Sequence, residues 1–178
     1  MDTRVGTLIA LNVIGGTAVL ASYVVGLEAV PGEALWGGVP DGIRPLYTVN
    51  MFIAAAGYFF FTPFILFRLD PETTRVAGRF GYGIFHILYA LVLFPSALWL
   101  FLTAHALDQP GPAAWAAVRI DLALVALGSL GLLASLVSLG SGAPRGRKFA
   151  IAGLVPFCLQ TVILDALVWP AFFPVSTH

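Results

Sequence analysis

Residues 149–173 read FAIAGLVPFCLQTVILDALVWPAFF, and Asp165 is the only charged side chain in the stretch. A helix crosses the hydrocarbon of a bilayer in about 20 mostly apolar residues, so this run is long enough to span a membrane. Four similar runs precede it, each bounded by charges, proline or glycine: Val5 to Leu27, Leu46 to Phe67, Phe80 to Ala104 and Ala113 to Leu139. The first ends in Gly26-Leu27-Glu28 without a small-x-small cleavage site, and it reads as a retained helix. Five spans predict an all-α integral membrane bundle, with residues 1–178 forming a single transmembrane domain.

Composition agrees with that reading. Of the 178 residues, 59% are apolar and 10% charged, against about 25% charged in soluble domains. A freely dissolved globular protein is excluded. Nine basic and nine acidic residues give no net charge, which removes the electrostatic footprint that nucleic-acid binding needs. One cysteine, Cys158, leaves no internal disulfide and no multi-cysteine metal site.

The basic residues are divided unequally between the two ends of the spans. Arg4, Arg68, Arg75, Arg79, Arg145, Arg147 and Lys148 fall on the side of the N-terminus; Arg44 alone falls opposite, and Arg119 lies inside the fourth span. The positive-inside rule then predicts a cytoplasmic N-terminus and an extracytoplasmic C-terminus, Phe173 to His178. Trp36, Trp115 and Trp169 gather near the outer boundary, as interfacial aromatics do. The second and fourth loops, stopped by Asp70-Pro71 and by Gly140 to Pro144, read as plain turns. The first, Glu28 to Pro45, contains Pro31, Pro40, Pro45 and Trp36, and it reads either as an ordered lid over the helix ends or as an irregular connection.

Lipid offers no hydrogen bonds, so polar side chains in the spans should turn inward. Their spacing is helical: Cys158, Thr161, Asp165, Trp169 and Phe172 in the fifth span; Tyr47, Asn50, Ala54, Tyr58 and Phe61 in the second; Tyr82, His86, Tyr89, Leu93 and Ser96 in the third; Asn12, Gly16 and Tyr23 in the first. Small residues at four-residue intervals, Ala18, Ser22 and Gly26 in the first span and Gly131 and Ser135 in the fourth, allow close helix approach. Leu132 is taken as facing lipid.

The intramembrane charges are costly wherever they sit. At about 1.5 Å per residue, Arg119 lies ~9 Å and Asp121 ~12 Å below the outer end of the fourth span, and Asp165 ~12 Å below that of the fifth. Arg119 and Asp121 are two residues apart and cannot share a face, so matched depth predicts an Arg119 to Asp165 ion pair. Such a pair either fixes helix register or forms the polar floor of a ligand cavity. His86 is expected about 10 Å inside the third span as a hydrogen-bonded residue. His105 and His178 lie at the other end, so no pair of histidines is placed for a haem, and no cofactor or metal is expected. No catalytic motif is present: Gly-x-Ser-x-Gly, Cys-x-x-Cys and a phosphate-binding glycine loop are all missing.

The five spans, a first loop with Trp36, Pro40 and Pro45, and a fifth span containing Pro156-Phe157-Cys158 together resemble the translocator protein, or tryptophan-rich sensory protein, family. The resemblance implies a loop closing over a pocket for porphyrins, sterols or drug-like apolar ligands. Pro156 matches the family's Pro-Tyr-Leu start and Phe157 is close to it; Gln160 and Val168 depart, standing where the family has Trp and Asn.

Concave aromatic sites with a few convergent polar groups are the usual form of small-molecule pockets. The sequence therefore predicts binding of an apolar polycyclic molecule, porphyrin-, sterol- or isoprenoid-like, in a cavity under the first loop lined by Tyr23, Trp36, Tyr47, Asn50, Tyr58, Arg119, Asp121, Asp165 and Trp169. Two alternatives stand beside it: a structural or assembly subunit of a larger membrane complex, and a membrane enzyme acting on a lipid or isoprenoid with Asp121 or Asp165 as acid or base. The partners predicted are the membrane, an apolar small molecule or lipid and, as a possible homodimer, a second copy of the chain; in the subunit alternative the small-residue faces would meet partner helices.

Overall fold

A computed structural model describes residues 2–140 and 142–173, and it is an all-α bundle. Helix α1 runs Thr3–Ala29, the short α2 Gly32–Trp36, α3 Arg44–Phe67, α4 Ile84–Asp108, α5 Pro112–Val137 and α6 Arg147–Cys158. The last span continues through a π-helical segment, Leu159–Val168, into α7, Trp169–Phe172. Five helices are long and apolar enough to cross a membrane: α1, α3, α4, α5 and the composite Arg147–Phe172. The protein is an integral membrane protein. The predicted location of His178 lies outside the described residues.

Helix ends follow local chemistry. Asp2 caps α1, its Oδ1 accepting from the Arg4 amide at 2.7 Å, and the hydrogen bonds from Arg4 hold the Asp2 carboxyl below its usual range. Proline stands in the first turn of α3 and of α5, where a missing N–H costs nothing. The third span begins at Ile84 rather than Phe80, because Gly81, Tyr82 and Gly83 form a turn that feeds the helix. His86 consequently lies in the first turn of α4 and not 10 Å deep; its Nε2 is 2.9 Å from the Arg4 carbonyl oxygen.

Glycine sets the closest helix crossings. Gly57 of α3 and Gly153 of α6 meet backbone to backbone, where a Cβ on Gly153 would come 2.7 Å from the Gly57 carbonyl oxygen. Gly128 and Gly131 of α5 receive Val92 and Leu88 of α4, and Gly15 of α1 receives Leu93. These contacts order the bundle: α4 lies between α1 and α5, the composite span packs on both α5 and α3, and α1 touches α3 only lightly. Along α1, Val13, Ile14, Leu20 and Val24 remain exposed, as lipid-facing residues should.

The interior is divided into two apolar layers. In the half nearer the N-terminus, Phe61, Ile65, Tyr82, Phe85, Tyr89 and Leu154 are fully enclosed. Leu132 belongs to this layer, with no exposed surface. It does not face lipid, since it follows the buried Val125, Gly128 and Ser129 around the face that α5 turns inward. At the other end, Val39, Tyr47, Val118, Leu122, Leu164, Trp169 and Phe173 form the second layer. The loops of the N-terminal half are more than plain turns: Val76 is buried and bridges both Phe80 and Leu139, joining the second loop to the end of the fourth span.

The glycine crossings are testable. Gly153→Val should lower the stability of the detergent-solubilised protein by about 1–3 kcal/mol through overpacking, read as a fall in melting temperature. Gly16→Ala, with nothing within 4 Å of the new Cβ, should leave it unchanged or slightly raised.

Candidate functional site

Two of the expected residues, Tyr47 and Asn50, stand nearly one turn apart on α3 and reach the same neighbour. The Tyr47 hydroxyl donates to the Leu164 carbonyl at 2.7 Å, and the Asn50 amide donates to the Pro156 carbonyl at 3.1 Å. Those carbonyls lie at and just before the π-helical segment, where the Trp169 N–H bonds to Leu164 five residues back instead of four. Pro156 and Pro170 interrupt the ordinary ladder on either side. Wider turns of this kind are rare and concentrate at functional sites. Here the spacing has a direct consequence: Gln160 and Asp165, five apart, come onto one side, and Gln160 Nε2 donates to Asp165 Oδ1 at 2.8 Å. Asn50 also donates to Gln160 Oε1 at 3.1 Å, so a polar chain runs from Asn50 through Gln160 to Asp165.

This corrects two expectations. The face of Cys158, Thr161, Asp165, Trp169 and Phe172 divides, because the π-helical spacing rotates the later residues. Cys158 and Thr161 turn toward α5, to the Ser129 carbonyl at 3.4 Å and the Ser129 hydroxyl at 2.8 Å; Asp165 turns toward Gln160, and Phe172 is partly exposed. The second correction concerns Arg119, which forms no ion pair with Asp165. Val118, Asp121, Leu122 and Val125 occupy the inward face of α5, leaving Arg119 on the exposed one, where its long stem can carry the charge toward the headgroups. Among the described residues the salt bridges are Arg4 to Asp2 and Arg44 to Glu33 and Asp41.

Arg44 organises the first loop. It bonds Glu33 at 2.8 Å, Asp41 at 3.1 Å and the Val39 carbonyl at 3.1 Å, and its guanidinium sits 5.6 Å from the centre of the Trp36 ring. Trp36 in turn meets Tyr47 edge-on at 5.8 Å. Two hydrogen bonds fasten the loop to the end of the last span: Trp169 Nε1 to the Leu35 carbonyl, and the Gly38 amide to the Phe172 carbonyl, each 2.8 Å. Glycine is required at 38, since a Cβ there would meet that carbonyl oxygen at 2.7 Å. The loop is an ordered lid, with α2 as its short helix.

Beneath it lies an aromatic cluster. Trp169 is the hub, 5.9 Å from Trp99, 5.8 Å from Trp115 and 4.3 Å from Phe173, and Tyr23 reaches Trp99 at 6.4 Å. Trp99, inside the apolar third span, carried no signal in the polar stripes and was missed; so was Gln160, which fell between two of them. The contacts of Gly128 with Val92 and of Gly131 with Leu88 fix the antiparallel register of α5 on α4, and that register sets Asp121 level with Trp99. Trp99 Nε1, Thr103 Oγ1 and Asp121 Oδ2 are buried without a hydrogen-bond partner. An unpaired buried polar group costs about 1–3 kcal/mol; among the described residues these are two donors, Trp99 and Thr103 about one turn apart on α4, and an acceptor, Asp121 of α5.

Tyr58 lies apart from this cluster. Its hydroxyl donates to Asn12 Oδ1, and its ring packs against Phe61, Tyr89 and Phe157 in the layer nearer the N-terminus. The predicted site residues therefore fall into three groups. Tyr23, Trp36, Tyr47, Asn50, Asp165 and Trp169 lie at or next to the lidded end, with Asp121 level with Trp99; Tyr58 belongs to the other core; Arg119 is on the outer surface. The chain matches no protein-family model, no curated protein and no solved structure.

A double-mutant cycle tests the polar chain. Asn50→Ala and Gln160→Ala should couple by about 0.6–1.7 kcal/mol in unfolding free energy, the range for interhelical hydrogen bonds in membranes; strict additivity would dissolve the network. Arg119→Leu should change stability by no more than about 0.5 kcal/mol, whereas a loss of about 3 kcal/mol or more would restore the buried ion pair.

Proposed function

We propose that this membrane protein binds a flat, apolar polycyclic molecule of the porphyrin, sterol or isoprenoid kind under the lid formed by the first loop. The observation that carries the reading is the set of Trp99 Nε1, Thr103 Oγ1 and Asp121 Oδ2, unpartnered among the described residues, with the Trp99 ring packed against those of Trp169 and Tyr23. Aromatic faces supply apolar area for a planar ligand, and unsatisfied donors and acceptors orient its polar substituents. Entry requires the lid to lift. Its ties are two hydrogen bonds and the ion pairs of Arg44 with Glu33 and Asp41, whose carboxylates are 82% and 90% exposed. Pairs so exposed add little to closure.

Binding energy comes mainly from buried apolar area, at roughly 25 cal/mol per Å² before association costs. The resemblance to the translocator family belongs to the same proposal: a proline-bearing loop with a tryptophan, above a span that turns π-helical after Pro156, suits a lidded pocket. So does the orientation, with the N-terminus cytoplasmic and the lid outside, which rests on the seven basic residues at one end against Arg44 at the other. Reporter fusions at both ends check it, and a C-terminal reporter active only in the cytoplasm reverses it.

Protoporphyrin quenching of tryptophan fluorescence in detergent tests the binding proposal. Wild-type protein should show saturable quenching on the micromolar scale. Combining Asp121→Asn with Thr103→Val should weaken it by about tenfold, the worth of one or two buried hydrogen bonds, and Trp36→Ala should weaken it through loss of the lid. Leu127→Ala, on the exposed face of α5, should leave it alone. Linear quenching, equal in every variant, would mean partition into micelles, and the reading as a subunit of a larger complex would replace this one. The broad exposed face of α1, packed chiefly along α4, is what would serve that role.

A further inference from the structure

At the end of the bundle opposite the tryptophans, α3 and α6 part below their glycine crossing. Phe60 closes the top of the resulting wedge, standing next to Gly153. The groove between them has a volume of about 470 Å³ and is walled by Phe60, Phe67 and Phe149, with Arg68, Arg145 and Gly146 at its mouth. Arg68 directly follows α3, and Arg145 precedes α6 by two residues, so the two guanidinium groups flank the groove at the level where the spans leave the hydrocarbon.

These two arginines differ from the others of this end in having no side-chain partner among the described residues. Arg4 bonds Asp2 and the Pro71 carbonyl. Arg75 bonds the carbonyls of Glu72 and Thr74, Arg79 lies over the Phe80 ring, and Arg147 bonds the Leu139 carbonyl at 2.6 Å. Arg68 and Arg145 make no ion pair and no side-chain hydrogen bond among the described residues. The nearest carboxylate in sequence, Asp70, is turned to the Glu72 amide at 2.9 Å. The start of α6 adds to the positive character: Gly146 holds a left-handed conformation, φ 102°, and no side chain caps the first N–H groups of the helix.

We propose that this groove holds an anionic glycerophospholipid of the surrounding leaflet, with its phosphate between Arg68 and Arg145. Guanidinium groups match phosphate in charge and in their forked geometry. The apolar wall names the source of that phosphate. Phe60, Phe67 and Phe149 are 59%, 67% and 75% exposed and form a strip leading from the arginines toward the hydrocarbon, where acyl chains lie and a free phosphate ion would find nothing. A zwitterionic lipid brings a choline group to a mouth that has two cations and no engaged carboxylate. A phosphatidylglycerol brings none.

The experiment uses the full chain, delipidated in detergent, with palmitoyl-oleoyl phosphatidylglycerol, the matching phosphatidylcholine, and inorganic phosphate as probes. Native mass spectrometry should retain one phosphatidylglycerol, which also raises the melting temperature, while phosphatidylcholine and phosphate do neither. The Arg68→Gln, Arg145→Gln double variant should lose at least tenfold in apparent affinity, and Phe149→Ala should weaken binding less. Arg75→Gln with Arg79→Gln, which removes as much charge from the same end, should bind like wild type. Equal retention by the Arg68, Arg145 variant and wild type overturns the proposal, as does loss of binding in the Arg75, Arg79 variant of the same size, which would mark a diffuse charge effect. Protection by inorganic phosphate as strong as by the lipid would reassign the groove to a free anion. Photo-crosslinking of the wild type with a diazirine-bearing phosphatidylglycerol needs no variant at all: label should fall on the peptides containing Phe67 and Phe149, and label elsewhere only would end the argument.

Discussion

The last span departs from α-helical pairing inside a membrane, and the rest of the lidded end depends on how that departure is held. Hydrocarbon offers an irregular backbone no hydrogen bonds. Two side chains of α3 brace it by adding a second donor to carbonyls that backbone N–H groups already reach: Tyr47 on Leu164, which also accepts from Trp169, and Asn50 on Pro156, which also accepts from Leu159. Each comes from a helix that the Gly57 and Gly153 contact has drawn within reach. If the crossing were wider, neither donor would arrive. The irregular segment is thus the product of small residues below it and polar residues beside it, and its wider turns bring Gln160 and Asp165 together and present Trp169 to the lid.

The spans were readable because bilayer thickness acts on composition alone: any run that is long and apolar enough declares itself whatever it packs against. Which way a residue faces was readable only where the helix is regular. Tyr47, Asn50, Ala54 and Phe61 keep α-helical spacing and are all buried, whereas the stripe drawn through the fifth span broke where the pairing shifts. Depth is likewise visible in sequence and azimuth is not. Arg119 and Asp165 lie at similar depth but Asp121 takes the inward face of α5, and two residues' separation then turns Arg119 outward. Trp99 and Gln160 were invisible for a related reason. Each matters through a neighbour on another helix, and nothing in its own span marks it.

Polarity is distributed along the bundle in a way that separates scaffold from site. Most buried polar groups are spent internally: Tyr89 on Thr62 at 2.8 Å, Tyr82 on the Ile65 carbonyl at 3.1 Å, Thr161 on Ser129 at 2.8 Å. Each of these ties a helix to another segment of the chain, and once made it leaves nothing for a ligand. Among the described residues the buried exceptions are Trp99, Thr103 and Asp121. On the surface, the exposed Arg68 and Arg145 at the mouth of the groove between α3 and α6 likewise bond no other side chain. Groups that would be costly to leave unpaired in the first set, and without a side-chain partner in the second, are where recognition chemistry has room to act.

The lid connects these arguments through a single helix. Arg44 begins α3 and gathers Glu33, Asp41, Val39 and Trp36; nearly one turn on, Tyr47 meets Trp36 and bonds Leu164. Helix α3 therefore touches the lid at its start, the irregular span along its middle and the basic groove at its end, where Phe67 and Arg68 stand. Gly57 seats it backbone to backbone on α6 between those two ends, so a single close contact, possible only without side chains, sets where α3 presents Arg44 and Tyr47 on one side of the crossing and Phe67 and Arg68 on the other.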